Sequence, residues 1–379
     1  MTDPATAEPQ RVVRLARTAL PIVALLVLAV VGGAVVLSGV VSGTLGYDFL
    51  AYHQAAERVL AGERLYDPTV EQTGGFGLFY YPPPFVLAIL PFALLDPTAA
   101  TWAWTGLSVA ALLGGIALMP VSLTVRWLTI LLAGLSWPVA YALKLGQVGP
   151  LLLLLFAIGW RRLDDPLALG GSAAGGAIVK IQPGIVLAWA VLTRRWRAVA
   201  VGVAVLAGAA VVATLVTGGL SVWTDYVALL SNVSDPISTP HNFTPGAIAY
   251  QLGAPTGVAA TVQLVSTVGV VAAVVIAALR AGAAASYLAA VVASQLLSPV
   301  LWDHYAMLLL LPVAWLVERG HWWAVVIPLV SSVFTIGLTP AAAYPIVFWL
   351  TLIALVWFGR RSRSPSPVGP QIDARTLAG

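Results

Sequence analysis

The stretch YDFLAYHQAAERVLAGERLYDP, residues 47–68, gathers Asp48, His53, Glu57, Arg58, Glu63, Arg64 and Asp67 in a chain whose residues are only 9% charged. Carboxylates, an imidazole and guanidinium groups this close together are the raw material of proton transfer and anion binding. Tyr52, Ala55, Ala56, Val59 and Leu60 fall at i, i+3, i+4, i+7 and i+8. That spacing predicts an amphipathic helix over 49–61, lying along a membrane surface and stopped at Gly62. Asp48 stands immediately before it. It reads there either as an N-cap that satisfies orphan amides or as a catalytic carboxylate at the membrane edge. The two are compatible, because a cap fixes where a carboxylate points. The two lysines of the chain, Lys144 in YALKLGQVG and Lys180 in AIVKIQPG, lie in or beside apolar runs. An ionisable group so placed is either functional or snorkels to a headgroup. Pro183 breaks the run behind Lys180, freeing backbone groups of the kind that line cavities.

The elements that must position these groups are membrane helices. Sixty per cent of the 379 residues are hydrophobic and the mean hydropathy is +0.93, whereas a soluble domain is about one quarter charged. The apolar runs are continuous, as in LPIVALLVLAVVGGAVVLSGVV, rather than alternating. The fold class is therefore an all-α integral membrane protein, with room for roughly eleven to thirteen crossings of about 20 residues. Residues 1–18 form a cytoplasmic segment, 19–358 the multi-span domain with outer loops at 42–81 and 218–253, and 359–379 a Pro/Ser-rich disordered cytoplasmic tail. YPPPFVLAILPFALLDP reads as a short second span, its entry fixed by Tyr80-Tyr81-Pro82 with aromatics at the interface.

Arg11, Arg14 and Arg17, the RRWR of residues 194–197, and Arg360, Arg361 and Arg363 mark cytoplasmic ends by the positive-inside tendency. A conflict follows. Placing both GWRRLDD and TRRWR in the cytoplasm makes the 166–192 run a hairpin of two half-spans. The count then reaches about thirteen, an odd number that puts the C-terminus outside against its arginines. Either one cluster breaks the rule or one run does not cross. The chain has no cysteine, which excludes disulfides and thiol chemistry. A formal charge of +4 gives no reason to expect a nucleic-acid partner.

YDFLAYHQAAERVLAGERLYDP, FYYPPPFVLAILPFALL, KLGQVGPLLLLL, IVKIQPGIVLAWAVLTRRWRA and SQLLSPVLWDHYAMLLLLP, in that order over residues 45–317, resemble the succession in glycosyltransferase family 87. That family comprises polyprenyl-phosphate-sugar-dependent enzymes, α-1,2-mannosyltransferases among them, with the GT-C fold. The resemblance implies an acidic residue in the first outer loop, matched by Asp48, acting as general base in an inverting transfer. It implies a donor-phosphate site drawn from Lys180, His304, Arg58, Arg64 and Lys144. Substrate contacts would come from Tyr52, Gln147, His241, Asn242 and Asp303. Its partners would be a polyprenyl-phosphate sugar, a glycolipid or polysaccharide acceptor and the bilayer. No cofactor or metal is implied, since the outer carboxylates show no ligand spacing and a lipid-phosphate donor needs none in principle.

Three alternatives stay open: an arabinofuranosyltransferase using the arabinose donor, a lipid or sugar transporter or flippase, and a structural scaffold. A transporter should carry duplicated halves with midplane charges in matching broken helices. This sequence gathers its polar residues in two same-side loops instead, and a scaffold leaves Lys144, Lys180 and Asp303 unexplained.

Overall fold

The computed structural model describes residues 4–67, 78–232 and 235–360. Among these residues the chain is helical, its only β-pairings being isolated bridges, Ser136 to Ser332 and Ala281 to Arg360. Thr18–Val41, Pro97–Leu118, Trp196–Val216 and Thr256–Arg280 are each long and apolar enough to cross a bilayer. Trp137–Leu145 and Gly149–Arg161 together make a further candidate, bent by 117° at its break. The remaining apolar runs are cut into shorter helices, so the sequence-based count of spans does not translate into as many full-length helices.

Burial explains the division of labour. The long helices leave large side chains bare, among them Ile22, Leu26, Val30, Val211, Leu215, Leu264 and Val265, an outer surface that only lipid can cover. Inside, Ala283–Leu296 is buried at every position from Ala285 onward, and Leu310–Glu318 from Leu310 to Val317. A helix that is apolar all round belongs in such a core.

The polar contacts sort into two ends. At one, Arg161 Nη1 donates to Leu118 O at 3.5 Å, and Ser122 N and Oγ both donate to Glu318 Oε2 at 3.0 and 2.8 Å. Arg195 Nη1 donates to Asp164 Oδ1 at 3.1 Å and also to Leu163 O. His321 packs on Phe358, and Arg360 bridges to Ala281. At the other end, Gly46 N donates to Lys144 O at 2.8 Å, Phe243 N to Leu301 O at 2.8 Å, and Arg64 reaches Asp225 at 4.0 Å. Helix Pro97–Leu118 joins the two ends; at ~1.5 Å per residue its 22 residues span about 33 Å, the depth of a bilayer core.

This arrangement resolves the topological conflict. The contact of Arg195 with Asp164 puts the GWRRLDD and TRRWR turns together, so the 166–192 run leaves that end and returns to it. Its helix stops at Val179, Lys180 is extended, and a 3-10 turn at Gln182–Gly184 starts the return through Ile185–Leu192. The expectation that fails is the short second span. Residues 83–95 hold a 3-10 turn, a four-residue helix at Val86–Ile89 and, after Pro91, another 3-10 turn. Both ends of this segment stay beside Tyr47–Leu60, where Phe92 O and Leu95 O each lie 3.2 Å from His53 Nε2. Pro91 breaks the helix before it is long enough to cross. Removing that passage turns the odd count even and brings Arg360 to the basic end.

Candidate active site

Asp48 is not the N-cap. The helix runs Tyr47–Leu60, with Gly46 at the cap position in the left-handed conformation (φ 72°), which leaves Asp48 inside the first turn. The expected apolar stripe is buried at Tyr52, Ala55, Ala56 and Val59; Leu60 is exposed, and Phe49 and His53 join the buried face instead. A carboxylate in a first turn faces the positive end of the helix dipole.

A second left-handed glycine, Gly146 (φ 70°), ends Trp137–Leu145. A Cβ there would fall 2.7 Å from Phe49 Cβ and 3.3 Å from Gly46 Cα, so the two glycines let these chain ends touch. Trp104 secures the junction by donating from Nε1 to Gly146 O at 2.7 Å and stacking on Phe49 at 5.0 Å. Asp48 and Gln147, each just beyond its glycine, are thereby opposed. Gln147 Nε2 donates to Asp48 Oδ2 at 2.5 Å. On its other side, Tyr81 OH donates to Gln147 Oε1 at 3.3 Å, and Tyr52 OH lies 2.6 Å from Tyr81 OH.

A lysine and a histidine look onto the same place. Lys180, at the break of the returning hairpin, donates from Nζ to Tyr305 OH at 2.5 Å, and its ammonium lies 5.7 Å from the Tyr81 ring centroid. His304 opens the 3-10 turn Asp303–Leu309, buried among Tyr141, Trp302 and Tyr305. Among the described residues both of its ring nitrogens lack a hydrogen-bond partner, and Asp303 Oδ1 lies 3.5 Å from Nδ1. Asp303 is held by Trp137 Nε1 at 3.0 Å and by the His304 amide at 2.8 Å. Burial pushes the Asp48 carboxyl above its ordinary value; His304, the Gln147 hydrogen bond and Lys180 oppose that rise.

The other candidates are engaged elsewhere. Arg58 Nη2 donates to Leu65 O at 3.1 Å and closes the loop after its own helix. Arg64 is 72% exposed and reaches from the loop after Tyr47–Leu60 to Asp225 of Ser221–Asn232. Lys144 meets the site through its carbonyl, the acceptor for Gly46 N. His241 is exposed, in a left-handed conformation (φ 58°). Asn242 is fully buried and uses its whole amide on backbone. Nδ2 donates to Pro236 O and Pro299 O, and Oδ1 accepts from Thr244 N and Leu301 N. It thus pins the 236–244 segment to the stretch that leads into Trp302-Asp303-His304. Tyr52 is 1% exposed, its hydroxyl held by Tyr81.

Sequence reasoning missed Tyr81, Tyr305 and Trp137 as members of the site. Tyr305 was within reach, since it follows His304 in WDHY. Tyr81 was read only as an interfacial aromatic, and Trp137 gave no signal at all.

The model of glycosyltransferase family 87 matches residues 79–302, more than half of the chain. That match contains Gln147 and Lys180 and is flanked by Asp48 and by Asp303-His304. No curated protein and no solved structure matches the chain. An all-helical membrane bundle that carries the sequence pattern of these transferases belongs to glycosyltransferase family 87.

Proposed function

We propose that this glycosyltransferase moves a mannosyl group from a polyprenyl-phosphate donor to a glycolipid or glycan acceptor, with inversion, at the outer face of the cytoplasmic membrane. The observation that carries this reading is the meeting of one half-buried carboxylate, Asp48, with a lysine, Lys180, and a histidine, His304, that arrive from separate breaks in the helical bundle.

In such a transfer the acceptor hydroxyl attacks the anomeric carbon while Asp48 takes its proton. The new carbon–oxygen bond forms as the bond to phosphate breaks, and the electron pair leaves on the lipid phosphate. That leaving group is already anionic and needs no protonation; it needs positive charge where its own charge grows. Lys180 supplies a fixed ammonium oriented by Tyr305, and His304 supplies a buried imidazole with both nitrogens open. A single base suffices, which distinguishes the chemistry from hydrolysis by paired carboxylates. The outward assignment follows from the basic clusters at the opposite end, which favour the cytoplasm.

The test is transfer by purified protein in lipid nanodiscs, with polyprenyl-phosphate mannose and polyprenyl-phosphate arabinose offered separately beside glycolipid acceptors. Mannose transfer that vanishes in Asp48→Asn supports the reading. Transfer of arabinose alone moves the enzyme to the sister specificity. Donor movement across the membrane without any glycosidic product overturns the enzymatic reading in favour of a transporter.

A further inference from the structure

Three buried side chains stand in line behind the candidate base, and hydrogen counting gives the line a direction. An ionised carboxylate only accepts, so Gln147 must turn its amide nitrogen toward Asp48 Oδ2 and its carbonyl oxygen away. That oxygen takes the single proton of Tyr81. Tyr81 then has only lone pairs left for Tyr52, which must donate to it across 2.6 Å. Tyr52, Tyr81 and Gln147 are 1%, 8% and 8% exposed, so water is poorly placed to take over any link. Burial also keeps both phenols protonated. One oxygen of Asp48 is thus occupied; Oδ1 makes no hydrogen bond to the described residues.

We propose that Tyr52, Tyr81 and Gln147 form a one-directional positioning relay that aims Asp48, reserving Oδ1 as the atom that receives the acceptor's proton. This rests on the reading of Asp48 as the base. In the reaction the acceptor O–H proton passes to Oδ1 while Gln147 keeps donating to Oδ2, so no amide reversal is needed. The proton then leaves Oδ1 for solvent to reset the site. Tyr81 has a second duty, because its ring faces the Lys180 ammonium at 5.7 Å. One side chain therefore keeps the base and the phosphate cation in register. None of the three touches the sugar: Tyr52 and Gln147, expected as substrate contacts, act through Asp48.

The experiment compares Tyr52→Phe, Tyr81→Phe and Gln147→Glu in nanodiscs with a saturating donor, reading kcat, both KM values and the pH dependence of kcat/KM. The other titratable or charged groups acting on Asp48 are His304, Lys180 and Tyr141, unchanged in all three variants. The expected order of kcat loss is Gln147→Glu above Tyr81→Phe above Tyr52→Phe, with Tyr81→Phe losing about tenfold and KM values held within about twofold. The acidic limb should move to higher pH in Gln147→Glu, which replaces the carboxylate's amide donor with a negative neighbour, and less far in Tyr81→Phe, which frees Gln147 to turn its donor away from Asp48. Should Gln147→Glu fail to fold, the two phenylalanine variants, each removing one buried hydroxyl, decide the matter alone. Wild-type kcat and pH limb in Tyr81→Phe would overturn the relay. A raised KM with kcat intact would also do so, returning these residues to sugar contact. Asp48→Asn separates the two levels: a dead Asp48→Asn beside wild-type relay variants removes only this inference, whereas an active Asp48→Asn removes the base itself.

Discussion

Asp48 is one carboxylate among opposing influences: burial favours its neutral form, while His304, Gln147 and Lys180 favour the charged one. The net displacement is upward, so the base form is lost as pH falls through a value above the ordinary 3.8. The acidic limb of kcat/KM should accordingly lie above 3.8, which a pH–rate series would check. Removing the carboxylate in Asp48→Asn should cost about 10² to 10⁴ in kcat and leave the melting temperature near wild type. Lys180→Ala should raise the donor KM; an unchanged donor affinity would shift the phosphate site to His304. At this scale the sequence was informative where a residue type was rare. Asp48, Lys180 and His304 stood out as polar groups in an apolar chain, and they do converge. Asn242 and Gln147 stood out for the same reason, yet their amides are spent within the protein, a matter of partners that a residue's type does not disclose.

The elements contribute their interruptions. Asp48 follows the end of the first long helix, Gln147 sits at the 117° bend, Lys180 at the tip of the returning hairpin, and Asp303-His304 on the turn after Ala283–Leu296. Backbone that leaves helical geometry inside a membrane protein survives where protein buries it or where it lines a cavity, so breaks and polar residues coincide. The break at Lys180 was legible from Pro183. The docking of Gly46 on Gly146 was not, because two glycines a hundred residues apart carry no sign that they meet. Gly146→Ala tests that contact. A Cβ would strain a left-handed residue and press on Phe49, so stability should fall by more than about 1 kcal/mol. Thermal unfolding in detergent and sugar transfer should decline together, since Gln147 would lose its seat against Asp48.

For the whole molecule, the separation of the basic end from the end that carries Asp48 is the organising fact, and a chain without cysteine makes it easy to test. Gln54→Cys and Asp164→Cys, both at exposed positions, should react with a membrane-impermeant thiol reagent from opposite sides. Ala99→Cys should react from the same side as Gln54→Cys, because residues 83–95 turn back; a true span would place it with Asp164→Cys. Hydropathy alone could not see this, since a run that dips and returns is as apolar as one that crosses. The returning segment has a consequence for biogenesis. Having no net passage, it is silent in the counting by which each later helix acquires its direction during insertion. Exchanging it for a short hydrophilic linker should therefore disable the enzyme, yet leave a reporter fused after Leu118 on its original side of the membrane.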